Sequence, residues 1–190
     1  MTTTSGEQKT TGKAEFKPGM KIVFGEEKTL WRVLEIDQEK EVALLFADKP
    51  VCDRAYNNSW ENTTWERCEL RAWLNGEYYE NAFTADEKAA IMECVLINPD
   101  NPEYGTNGGA DTKDRIFLLD LEEAEKYFCG AEDRASEGWW WLRSPGNHNF
   151  STAGVLIDGS ISFRGAFPGV RNCVRPAMRI DLKTTVCILK

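Results

Sequence analysis

The sequence predicts a mixed α+β fold of small antiparallel sheets, two to three helices and a late hairpin. Three observations carry this. Short runs of alternating apolar residues recur along the chain, as half-buried strands require. Helix-start signals stand between them, the clearest being Thr84-Ala85-Asp86-Glu87. Two rigid blocks, Trp139-Trp140-Trp141-Leu142-Arg143-Ser144-Pro145-Gly146 and Val174-Arg175-Pro176-Ala177-Met178, bracket a stretch of small, polar and aromatic residues. A scaffold that fixes both ends of such a stretch is the expected form of a binding module.

Met1–Glu15 holds almost nothing apolar and reads as a disordered tail or linker, leaving 16–190 as one domain. It lacks the apolar core of a secretory signal. A cytoplasmic place is therefore expected for the chain as given, and the cell surface if it is a piece of a larger protein. Lys21–Phe24 reads as a short strand. Thr29–Asp37 and Glu41–Phe46 read as a hairpin around Gln38-Glu39-Lys40. Asp48–Thr64, rich in Asn and Tyr, is irregular. Leu70, Trp73 and Leu74 mark a helix face, and Gly76 predicts its end. The Thr84 capping box opens a second helix through Ile91 and Met92. Asn98–Lys113 is a loop, and Ile116–Leu119 a short apolar strand. Asp120–Glu123 opens a third helix that Gly130 should stop. Strands and loops complete the chain.

The late segment has a resolvable register. A two-residue turn at Asp158-Gly159 would pair Ile157 with Ser160. A three-residue loop with Gly159 left-handed pairs Val155 with Ile161 instead. The second is preferred, because it gathers Ala153, Val155, Ile157, Ile161 and Phe163 on one face. Leu156 is then the apolar exception on a polar face that includes Ser162 and Arg164. Loops flank the hairpin on both sides, with Phe150 and Phe167 as rigid aromatics among adaptable hydrogen bonders, the composition of a recognition surface.

Composition removes several function classes. At 190 residues with net charge −8, nucleic acid and anionic membrane are poor partners, and no apolar run is long enough to span a bilayer. Six cysteines without a C-x-x-C pair disfavour structural zinc and point to buried reduced thiols. His148 is the only histidine, so a nucleophilic pair with Cys173 is disfavoured and no catalytic residue is assigned. Asp111 and Asp114 beside Asn107 are the sole calcium option, with too few oxygen ligands to sustain it. No metal or cofactor is expected. Arg143 and Arg175 lie within apolar or rigid strands and should pair with carboxylates or carbonyls, locking loops to the core.

Taken together, Trp-Leu-Arg-Ser-Pro-Gly (141–146), Asp-Gly-Ser (158–160) and Val-Arg-Pro-Ala-Met (174–178) resemble the bacterial domain-of-unknown-function family 6273. Trp31–Leu34, Thr64-Trp65-Glu66, Leu70–Asn75, Tyr79–Phe83 and Phe117–Leu119 match in order, so the likeness runs from Pro18 to Leu182. The resemblance implies a C-type-lectin-like fold, similar to the variable proteins of diversity-generating retroelements. In those, hypervariable residues occupy the corresponding late segment. By position the display residues are Asn147, His148, Asn149, Phe150, Leu156, Ser162, Arg164, Phe167, Arg171 and Asn172. The implied partner is a protein or surface glycan. A structural accessory domain of a larger surface protein, with no ligand of its own, is the competing reading. Cys173 stands where the family pattern has Gly, and Cys68 where a Ser or Thr would cap the Leu70 helix. A thiol caps poorly, at an expected cost of about 1 kcal/mol. The calcium and sugar motifs of C-type lectins and the cysteine motif of formylglycine-generating enzymes are not reproduced.

Overall fold

Alternating burial sets up the first sheet. In the computed structural model, which describes residues 16–59 and 61–188, β1 (Lys21–Phe24) turns Ile22 and Phe24 inward and Lys21 and Val23 outward. The tail expected at Met1–Glu15 lies outside the described residues. β2 (Thr29–Asp37) pairs with β1, and β3 (Val42–Ala47) closes the hairpin read from the sequence. Every residue of β3 is buried, as a strand covered on both faces requires. β4 (Cys52–Ala55) follows, then α1 (Glu69–Trp73), a π-helical turn (Leu74–Tyr78), α2 (Tyr79–Ala82) and α3 (Ala85–Ala90). Four short strands come next: β5 (Ile91–Met92), β6 (Cys94–Leu96), β7 (Thr112–Asp114) and β8 (Ile116–Phe117). α4 (Leu121–Lys126) and α5 (Ala131–Arg134) lead into β9 (Trp140–Pro145), β10 (Thr152–Val155), β11 (Ile161–Ala166) and β12 (Arg171–Val174). β13 (Ala177–Asp181) and α6 (Leu182–Ile188) end the described chain.

The fold is mixed α+β with small antiparallel sheets and few, short helices. One sheet runs β1-β2-β3-β13-β5, with β8 also on β13; a second runs β11-β10-β9-β12-β4; β6 and β7 form a separate ladder. Among the described residues only β12 on β9 is parallel. The two rigid blocks feed both sheets, because β9 lies at the centre of the second and β13, just past Arg175-Pro176, lies inside the first. One hydrophobic cluster runs through both, with Trp31, Trp65, Trp140 and Trp141 fully buried. Each of these indoles donates to an internal acceptor: the Phe24 carbonyl, the Asp114 carboxylate, the Arg134 carbonyl and the Arg54 carbonyl.

Helix boundaries moved where tertiary contacts outweighed local signals. Gly76 does not end the first helix; it sits inside the π turn, where a Trp73–Tyr78 ring contact at 5.1 Å holds the widened backbone. Asn75 braces the same turn, accepting from the Arg115 amide at 2.8 Å and donating to the Ile116 carbonyl at 2.8 Å. The capping boxes at Thr84 and Asp120 both form. The Thr84 helix nevertheless stops at Ala90, because Ile91 and Met92 pair with Ile180 and Arg179 of β13. β7 takes the end of the segment expected as loop, and α5 and α6 occupy stretches expected as strand or loop. Cys68 does cap α1, its sulfur accepting from the Arg71 amide at 3.3 Å. Cys52, Cys68, Cys94, Cys129 and Cys173 are free thiols; Cys129 is exposed rather than buried.

Candidate functional site

The late hairpin adopts the three-residue loop. Val155 faces Ile161, Leu156 and Ser160 close the loop through a 2.8 Å amide–carbonyl bond, and Gly159 is left-handed at φ 83°. Ala153 and Val155 reach the core, with Ile161 and Phe163 packed partly against it. Ile157 departs from the expectation: it is 61% exposed, because it belongs to the loop and not to the strand. The loop tip rests on α5, where Arg134 Nε donates to the Gly159 carbonyl at 2.9 Å.

The connection from β9 to β10 is fixed from below and free above. The Gly146 amide donates to the Ser151 carbonyl at 2.8 Å, and the Ser151 hydroxyl accepts from the His148 amide at 2.9 Å. The Asn147 amide donates to the Arg164 carbonyl, tying the loop to β11, and the Thr63 amide donates to the Asn149 carbonyl. Beneath lies Asn101, 1% exposed, whose amide nitrogen donates to the Pro145 and Phe163 carbonyls, both at 2.8 Å. With most of its backbone groups bonded to the protein, the loop turns His148, Asn149 and Phe150 outward. The His148 and Phe150 rings lie 5.1 Å apart, and Phe150 is 47% exposed. Arg164 is exposed nearby and acts electrostatically on Tyr104, itself an exposed aromatic on the Asn101 loop.

The remaining candidates do not share this patch. Leu156 is partly buried at the hairpin turn. The Ser162 hydroxyl accepts from the Gly165 amide at 3.1 Å, a local structural bond. Phe167 is partly buried, its ring so close to Gly169 that a Cβ there would collide. Arg171 and Asn172 line a different feature, an open cleft of about 550 Å³ between β4, β12 and the Glu137–Trp139 segment. Asn149 lines a smaller polar recess with Thr64, Glu66 and Asn107. Thus the Asn147–Phe150 and Arg164 group is contiguous, and the Arg171–Asn172 pair is separate. Asn101, Tyr104, Asp53 and Glu137 were not singled out in the sequence, and Trp139 entered only as the first residue of the rigid block, with no site role.

Both arginines of the rigid blocks lock the scaffold. Arg143 bridges to Asp120 at 2.5 Å and to Glu123, and donates to the Leu118 and Ile97 carbonyls. Arg175 donates to the Ala47 and Asp48 carbonyls at 3.2 and 2.8 Å and lies over the Phe46 and Trp140 rings. Burial pulls its guanidinium down to about 10, still protonated at neutral pH. Cys173 packs against Gly138, where a Cβ would lie 2.7 Å from the sulfur. Burial, reinforced by Asp53, pushes that thiol up to about 12, the opposite direction from an activated nucleophile. Asp114, half of the sole calcium option, is engaged by Arg71, Trp65 and Thr112.

Residues 40–182 match the domain of unknown function DUF6273. That span is most of the chain, and the protein belongs to this family; Trp31–Leu34 lies ahead of the matched region. No curated protein and no solved structure matches it. No helix among the described residues is long and apolar enough to cross a membrane.

Proposed function

We propose that this domain is a non-catalytic recognition module on a C-type-lectin-like scaffold, presenting the Asn147–Asn172 region to a protein or surface glycan. One observation carries the reading. The Gly146–Ser151 loop bonds most of its backbone groups to the protein while His148, Asn149 and Phe150 project outward beside Arg164 and Tyr104. A rigid backbone under exposed aromatic, guanidinium and amide groups lowers the ordering cost of binding. Partner recognition here rests on His148, Asn149, Phe150 and Arg164. Arg171 and Asn172 lie apart from this group, on the cleft.

The retroelement relationship is part of the same proposal. Template-adenine replacement converts Asn codons into those of several residue types found in this segment. A near-copy of the codons for 139–178 beside a reverse transcriptase gene, differing only at adenines, would support it. For recognition itself, the test is a protein and glycan binding screen with the intact chain, followed by Phe150→Ala and Arg164→Ala. Loss of a detected partner in both variants, with unchanged unfolding midpoints, supports the reading. Undiminished binding of every detected partner by both variants overturns it.

A further inference from the structure

Trp139 stands apart from its neighbours. Trp140 and Trp141 are fully buried and hydrogen-bonded, whereas Trp139 is only partly buried and lines the 550 Å³ cleft. Among the described residues its indole N–H meets no acceptor and its ring meets no aromatic partner. The benzo edge of the ring lies against Gly154, which has no side chain to displace it. An amphipathic ring with a free donor, supported from one side and open on the other, is an incomplete packing arrangement.

The rest of the cleft supplies planar polar groups. Asp53 and Glu137 are exposed carboxylates on its walls, and Glu137 meets no ion pair or hydrogen bond among the described residues. Arg171 is held in place by donating to the Asp53 carbonyl at 2.5 Å. The Asn172 amide nitrogen is buried with no hydrogen-bond partner among the described residues. The geometry points to a binding site for a neutral saccharide in this cleft. The C–H face of a pyranose stacks on Trp139, its hydroxyls donate to Asp53 and Glu137, and Arg171 donates to a ring or hydroxyl oxygen. The cleft volume lies within the range of small-ligand sites. Two carboxylates against one guanidinium repel an acidic sugar, and Trp139 as the single aromatic ring of the lining falls short of the aromatic cage that a quaternary ammonium takes. The site goes beyond the display surface, since Asp53, Glu137 and Trp139 all lie outside the Asn147–Asn172 segment.

The test uses the intact chain against an array of neutral oligosaccharides, with sialyllactose and a trimethyllysine peptide as acidic and cationic comparisons. Hits are titrated by tryptophan fluorescence and calorimetry. At least one neutral oligosaccharide is expected to bind in the millimolar range or tighter. Trp139→Ala should weaken it at least tenfold, Trp139→Tyr less, and Glu137→Gln severalfold at an unchanged unfolding midpoint. Phe150→Ala and Arg164→Ala should leave this binding intact, which separates the cleft from the display loop. No neutral ligand, binding of the trimethyllysine peptide alone, or neutral-sugar binding unchanged in both Trp139→Ala and Glu137→Gln would overturn the assignment.

Discussion

Arg143 and Arg175 occupy equivalent places in the two rigid blocks, yet their charges are met differently. Arg143 is answered by two carboxylates, Asp120 and Glu123, each of which also caps α4. Arg175 is answered by carbonyl dipoles and two aromatic faces, with no carboxylate among the described residues in direct contact. The difference teaches where failure comes from. Removing Arg143 strands anionic groups at the start of a helix, whereas removing Arg175 leaves neutral carbonyls and a gap between rings.

The largest expected effect is therefore Arg143→Met, a loss of about 3–5 kcal/mol in urea unfolding, the range for breaking a buried pair. Adding Asp120→Asn and Glu123→Gln should recover part of it; a triple variant no more stable than the single one would contradict the carboxylate account. Arg175→Met should lose less, about 2–3 kcal/mol, since each orphaned carbonyl is neutral and costs near the low end of about 1–3. Equal losses at the two sites would remove the distinction between them.

Gly138 and Cys173 sharpen the comparison at smaller scale. Gly138→Ala should cost about 1–3 kcal/mol, the range for overpacking. The loss should shrink markedly in a Cys173→Ala background, because the sulfur is the obstructing atom. A strictly additive double-mutant cycle would show that it is not.

A pH dependence distinguishes the surroundings of Arg175. Burial opposes ionisation of Asp48 and Asp133, but hydrogen bonds and charges from Arg32, joined by Lys21 at Asp48, outweigh it. Both carboxyls fall below their ordinary value of 3.8. A depressed carboxyl stabilises fully above its unfolded value, and that contribution is lost as pH falls through the folded one. Wild-type stability should thus drop below about pH 4, the unfolded aspartate range. Arg32→Gln should flatten that drop, as unfolding curves between pH 3 and pH 6, a window chosen about that range, will register. An unchanged slope would place the acid sensitivity elsewhere. Smallest of all, Phe150→Ala and Arg164→Ala should each shift stability by under about 0.5 kcal/mol, because neither anchors its loop.

Much of this was legible from sequence because its causes are local. Period-two burial placed β1, and apolar runs on either side of a turn signal placed β2 and β3. Two capping boxes started α3 and α4, since each satisfies its own amides within one turn. The late hairpin took the register that a left-handed Gly159 and an inward Val155 require. Loop composition also placed the outward group around Phe150.

The tertiary structure decided the rest, because the deciding partners lie far away in the chain. Ile91 and Met92 became strand only because β13 offers an edge. Asn101, in a segment with no apolar signal, is buried because the Pro145 and Phe163 carbonyls need a donor. The ten display candidates separated into an exposed loop group, a cleft pair and locally packed residues, a division that spacing alone does not encode. Trp139 came to line a cleft with Asp53 and Arg171 only once β4 and β12 were paired. Local periodicity specifies which face a residue takes; only long-range pairing specifies what that face meets.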